Sequence, residues 1–128
     1  MSNYVLDSSA LLAVIHDEPG AEAVLEAIGE GAVVSAVNLS EVVAKLSEHG
    51  MSRDAIHAAL GQIELDVIDF TETLAYHAGL LRASTRALGL SLGDRACLAL
   101  AAELGVPALT ADRHWSQLDL GIDVKVIR

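Results

Sequence analysis

The chain has 128 residues, a length that suits one domain over 1–128, and 52% of them are hydrophobic, enough to fill a core and leave apolar surface for a partner. One cysteine, Cys97, excludes an internal disulfide framework and suits a reducing cytoplasm; the start lacks a basic leader, and no run approaches the roughly twenty apolar residues of a membrane span. A formal charge of −10, with 8 Lys and Arg against 18 Asp and Glu, and 3% aromatic residues argue against a broad electrostatic or base-stacking grip on nucleic acid.

Short β-rich runs alternate with helical patterns. Tyr4–Asp7 reads as a buried strand running into a helix over Ser9–Ile15. After the breaker Asp17–Gly20, Ala21–Ile28 has helical spacing with Glu22, Glu26 and Glu30 on a wet face. Ala32–Ser35 is a second strand, followed by a helix over Asn38–His49 that Gly50 closes. A helix from Ser52 to about Ile63, a strand over Leu65–Ile68 and a long helix over Thr71–Ala87 come next. Ser91 caps a helix that runs through Glu103 to Gly105, and strands over Val106–Thr110 and Val124–Ile127 complete the chain. Strands separated by helices predict an α/β fold, with a mainly parallel sheet of four to five strands covered on both faces.

Four acids interrupt apolar runs: Asp7, Glu41, Asp94 and Asp112. A buried acid must be paired, hydrogen-bonded or bound to a cation, and too few basic residues lie beside these to pair all of them. Each has a structural explanation of its own. Asp7 can cap the helix after it, Asn38–Glu41 and Ser91–Asp94 both match capping boxes, and Asp112 can form an Asx turn. Capping does not explain why all of them map to the C-terminal strand ends, where ligands bind in such sheets. As a set they form an all-oxygen site, which selects Mg²⁺ or Mn²⁺.

Hydroxyls accompany the acids: Ser8 and Ser9 after Asp7, Ser40 before Glu41, and Thr110 before Asp112. They can orient carboxylates, and equally can serve as caps. Arg95 and Arg113 follow Asp94 and Asp112 and are candidates for holding phosphate, with surface charge as the alternative; Arg82 and Arg86 share a helix face. His16, His49, His57, His77 and His114 are dispersed without metal-ligand spacing, with only His114 near a candidate acid. Cys97 reads as a small buried hydrophobe.

Four segments in this order resemble the PIN-domain ribonucleases, specifically the small VapC-type toxins of toxin–antitoxin pairs. They are Val5-Leu-Asp7-Ser-Ser-Ala-Leu-Leu12, Asn38-Leu-Ser-Glu41-Val42, Leu90-Ser-Leu-Gly-Asp94-Arg-Ala-Cys-Leu-Ala99 and Leu109-Thr-Ala-Asp112-Arg113. The resemblance covers essentially the whole chain. It implies an α/β/α sandwich, a Mg²⁺- or Mn²⁺-dependent endoribonuclease, a homodimer, and a cognate antitoxin that covers the active site. It assigns Asp7, Glu41, Asp94 and Asp112 to the metal-binding, catalytic positions. The scarcity of basic residues departs from that profile and suits a narrow RNA target.

Two competitors come from other classes. One is a catalytically inactive module that binds RNA or an antitoxin through the acid pocket. The other is a phosphotransfer protein. An aspartyl-phosphate phosphatase needs a second Asp where Ser9 stands, and a receiver needs a lysine after a late strand, whereas Lys125 lies within one.

Overall fold

In the computed structural model, which describes residues 2–128, five strands form one parallel sheet. They are β1 (Tyr4–Leu6), β2 (Ala32–Ser35), β3 (Asp66–Ile68), β4 (Ala108–Thr110) and β5 (Val124–Val126), in the spatial order β3-β2-β1-β4-β5. Six helices cover it: α1 (Ser8–Ile15), α2 (Ala21–Gly31), α3 (Ala36–Glu48), α4 (Arg53–Gly61), α5 (Glu72–Thr85) and α6 (Leu92–Leu104). This is the α/β/α arrangement, a parallel sheet covered on both faces, that the alternating pattern predicts. No helix among the described residues is long and apolar enough to cross a membrane.

Burial on both faces explains why the central strands read as unbroken apolar runs. Val5 and Val33 pack with Cys97, Leu98 and Trp115 in a core that also takes Leu74 and Ala78 from α5. Leu6 and Leu109 pack with Ala10 and Val24 beneath α1 and α2, and Val34 joins Leu11, Val42, Leu46 and Ile56 beneath α3 and α4. At the edge, β3 leaves Asp66 and Val67 exposed.

The chain adds β2 and β3 outward on one side of β1, then crosses to add β4 and β5 on the other. The order reverses between β1 and β4, where Leu6 is paired with Leu109. A crevice opens at the C-terminal ends of strands at such a point. Asp7 stands there at the end of β1, and Asp112 two residues past β4.

Some boundaries differ from the sequence reading. The helix expected over Asn38–His49 begins at Ala36, because Ser35 Oγ at the end of β2 accepts from the Val37 amide at 3.2 Å and caps it. Asn38 is therefore not a cap, and its side chain turns inward. The strand expected from Val106 begins at Ala108, since Pro107 has no N–H to give a ladder. The helix expected to reach Ala87 ends at Thr85 and passes into a 3-10 turn over Arg86–Leu88, closed by Gly89 at a φ of +63°.

Candidate active site

Asp7 is the deepest of the candidate acids, 4% exposed. It caps α1: Oδ1 accepts from the Ala10 amide at 2.8 Å and from Ser9 Oγ at 2.7 Å. Its second oxygen, Oδ2, accepts from Thr110 Oγ1 at 2.5 Å. Ser9 Oγ in turn accepts from the Ala111 amide at 2.8 Å, which locks the start of α1 to the end of β4. Burial pushes the Asp7 carboxyl up to about 6; the hydrogen bonds from Thr110, Ser9 and Ala10 oppose that rise, and the Asp94 charge adds to it.

Glu41 lies in the second turn of α3 and is half-buried. It accepts a short hydrogen bond from Ser8 Oγ and a second from Asn38 Nδ2 at 3.1 Å. The same Asn38 amide reaches Ser8 Oγ at 3.2 Å and the Gly93 carbonyl at 3.0 Å, so one buried side chain joins α1, α3 and α6. Gly93 lets the Glu41 carboxylate lie against the start of α6, because a Cβ added there would meet its oxygens and force the carboxylate to shift.

Asp94 closes a capping box with Ser91: Oδ2 accepts from the Ser91 amide at 2.9 Å, and Ser91 Oγ accepts from the Asp94 amide at 3.2 Å. Its pKa is raised, by burial first and then by the charges of Glu41 and Asp112. Asp112 is exposed and accepts from the His114 amide at 2.9 Å, the Asx-type bond; His114 Nδ1 lies 3.0 Å from the same oxygen. Thr110 Oγ1 accepts from the Asp112 amide at 3.0 Å.

The structure thus brings Asp7, Glu41, Asp94 and Asp112 to one end of the sheet, where the charges of Glu41 and Asp112 raise Asp94 and that of Asp94 raises Asp7. Ser8, Ser9 and Thr110 orient Asp7 and Glu41. Among the described residues no Lys or Arg forms an ion pair with any of these acids. The donor set, carboxylates and hydroxyls, suits a hard divalent cation such as Mg²⁺ or Mn²⁺. Yet no three acid, His or Cys groups among the described residues stand at metal-ligating distance of one another. Each acid is held by its own local hydrogen bonds.

Two arginines face elsewhere. Arg95 Nη1 donates to the Ala78 carbonyl at 2.9 Å and ties α6 to α5, and Arg113 Nε donates to the Arg128 carbonyl at 3.1 Å. Neither holds a position over the carboxylates. Cys97 is fully buried beneath the acids, where burial and then the charges of Asp7, Asp94 and Glu41 push its thiol up and keep it protonated. Asn38 and Gly93 are the site residues that the sequence reading did not pick out as such. The available signal was a glycine inside the first turn of a helix, which marks a close approach.

The PIN domain family model matches residues 4–120. No curated protein matches the chain by sequence. Among solved structures, the DNA-bound VapBC of Salmonella typhimurium superposes with a TM-score of 0.81 at 19% identity, covering 100% of each chain. VapBC2 of Rickettsia felis, bound to a DNA fragment from their promoter, gives 0.78 at 17% identity over 98% of each. VapBC-5 of Mycobacterium tuberculosis, from a family of toxin–antitoxin systems, gives 0.63 at 20% identity, covering 100% of this chain and 99% of that one. At these identities the likeness is one of fold.

Proposed function

Because the chain belongs to the PIN domain family, whose members are generally nucleases, we propose that it is a metal-dependent endoribonuclease and the toxin of a toxin–antitoxin pair. The observation that carries this reading is the convergence of Asp7, Glu41, Asp94 and Asp112 from four separate segments on the crevice beyond β1 and β4, without a Lys or Arg partner among the described residues. Acids so placed raise one another's affinity for protons and for cations.

In this reading Asp7 and Asp94 are the firmest ligands for Mg²⁺ or Mn²⁺, Glu41 ligates or positions the attacking water, and Asp112 completes the site. Bound there, the metal supplies the positive charge that attracts a phosphate, favours hydroxide and steadies the leaving oxygen in an in-line displacement. Ser9 and Thr110 fix the Asp7 carboxylate, while Ser8 and Asn38 fix that of Glu41, so the chain presets which oxygens face the crevice. Hydrolysis leaves 5′-phosphate and 3′-hydroxyl ends.

Two surfaces support the proposed partners. A groove of about 530 Å³, lined by Leu39, Val43, Ile56, Leu60 and Val67 among others, offers an antitoxin apolar footing. Tyr76 and Leu80, 71% and 78% exposed and one turn apart on α5, suit a homodimer. The protein then acts in the cytoplasm as one domain over 1–128.

That no three of the acids stand together at ligating distance among the described residues favours a second reading, an inactive module that binds RNA or an antitoxin. Antitoxin-free, EDTA-stripped protein, incubated with total bacterial RNA with and without Mg²⁺ or Mn²⁺, decides between them. Discrete 5′-phosphate fragments that need metal and disappear in Asp7→Asn support the nuclease. RNA or antitoxin binding with no cleavage supports the module. No metal binding by calorimetry removes the carboxylate site from either account.

A further inference from the structure

Helices α1 and α3 leave the ends of β1 and β2 with Asp7 and Glu41 toward their starts and His16, Lys45 and His49 toward their ends. On α1, the cap Asp7 is followed by Ser9, then Leu12 and, just past the last turn, His16. On α3, Glu41, Lys45 and His49 recur every four residues, the spacing that stacks side chains on one helical face. Ser9, Leu12 and His16, together with Lys45, His49, Glu18 and Arg128, line an open groove of about 430 Å³. Ser9 joins it to the carboxylates through its bond to Asp7. From Ser9 to His16 the helix rises about 10 Å, far enough for a neighbouring phosphate rather than the one being cut.

The cations here are available. Among the described residues Lys45 forms no ion pair. Arg128 Nη1 approaches Glu18 Oε1 at 3.4 Å and the Pro19 carbonyl at 3.1 Å, which leaves the rest of its guanidinium unused. His49 Nδ1 lies 2.9 Å from the Lys45 carbonyl, which holds its ring beside Lys45 at the end of α3.

We propose that this groove is a phosphodiester-binding subsite that holds the RNA backbone beside the scissile bond, an inference that rests on the nuclease reading above. Its continuity with the carboxylates through Ser9 favours nucleic acid over an acidic protein segment. A protein segment finds its apolar footing on another face of α3, around Leu39 and Val43.

The test is the binding of fluorescein-labelled single-stranded RNA in EDTA, read by anisotropy across a salt series. The proteins compared are wild type, Lys45→Ala/His49→Ala, Glu18→Gln and Arg82→Ala/Arg86→Ala. The replaced Lys, His and Arg side chains are exposed, and an unchanged Tm checks the fold. The groove variant weakens binding about tenfold for every RNA sequence, and its slope of log K against log salt shrinks by about 0.7 for each phosphate no longer neutralised. Glu18→Gln, which removes the groove's opposing charge, tightens binding. The α5 variant binds as wild type does.

An unchanged affinity and slope in the groove variant overturns the subsite and leaves the nuclease reading intact. An equal loss in the α5 variant does the same. If polyglutamate competes as well as RNA and the groove variant loses both, the groove belongs to an acidic protein segment and the proposal fails. Wild type that binds no RNA in EDTA overturns the subsite, while the nuclease reading stands or falls on the metal-dependent cleavage assay above.

Discussion

Replacing Asp7 by Asn should stabilise the metal-free protein near neutral pH, although it removes a side chain with three hydrogen bonds. The carboxyl is raised from 3.8 to about 6, chiefly by burial. A shift of about two units corresponds to about 3 kcal/mol between the protonated and ionised forms. Between those pH values the folded chain holds a proton that the unfolded chain has released, so stability falls as pH rises through this window. The cost is complete above about pH 6 and absent below about pH 4. An asparagine keeps an oxygen for Ser9 and the Ala10 amide and turns its NH₂ toward Thr110 Oγ1, at the expense of reversing that hydroxyl. The expected net gain at pH 8 is therefore about 1–3 kcal/mol, seen as a rise of several degrees in Tm in EDTA. It shrinks toward zero or below at pH 4. Asp94 is also raised and contributes in the same direction in both proteins, so the informative quantity is variant minus wild type. A variant less stable than wild type at pH 8, or a difference that does not change with pH, would refute the assignment of a burial-raised carboxyl.

Asp94→Asn should abolish metal-dependent RNA cleavage while costing less than about 1 kcal/mol of stability, because Ser91 still caps α6; full cleavage activity removes Asp94 from the site. Gly93→Ala should displace Glu41 and cut kcat sharply, with the helix-propensity gain of about 1 kcal/mol offset by overpacking; wild-type kcat would show that Glu41 has room to move. Adding Mn²⁺ to EDTA-stripped protein should raise stability by about 2.7 kcal/mol at a hundredfold excess over Kd, less so below about pH 6 as Asp7 takes up its proton. A melting temperature indifferent to metal contradicts ligation. Glu26→Gln, on the exposed face of α2, should change neither stability nor cleavage.

The parallel sheet was legible because Val5, Leu6, Val33 and Val34 are buried on both faces and flanked by periodic helices, a pattern set by local sequence. The acids were legible for a related reason: Asp7 and Asp94 interrupt apolar runs, and strand topology sends such positions to one end. Asn38 was misread because Asn followed three residues later by Glu has the form of a capping box. The strand end at Ser35 was legible, but that Ser35 itself caps α3 depends on the backbone turn from β2 into the helix. Arg95 follows Asp94 directly, yet successive helical residues point about 100° apart, and its direction is decided by the Ala78 carbonyl 17 residues away. His16, Lys45 and Arg128 carry no shared sequence signal, since their meeting depends on where α1, α3 and the end of β5 are packed.

The net charge of −10 is a poor guide to what this molecule can hold, because the sum hides the arrangement. Exposed charges further apart than about 8–10 Å are largely screened at physiological salt. Glu22 and Glu26 lie on the solvent face of α2 and act mainly on water, while Glu30 accepts from the Tyr4 hydroxyl at 2.7 Å. Several cations are likewise committed elsewhere. Arg95 is bound to α5, Arg113 holds the Arg128 carbonyl, and Lys125 lies over the Tyr4 ring at 5.1 Å. Of those that remain, Lys45 and Arg128 stand in the groove that leads to Asp7, while Arg53 lines the apolar groove and Arg82 and Arg86 belong to the α5 side. On the proposed reading, an acidic crevice loaded with a divalent cation and followed by a short run of positive charge would give an anionic strand an entry path. A grip built from so few cations would be weak on any RNA, and selectivity would then fall to the shape of the target.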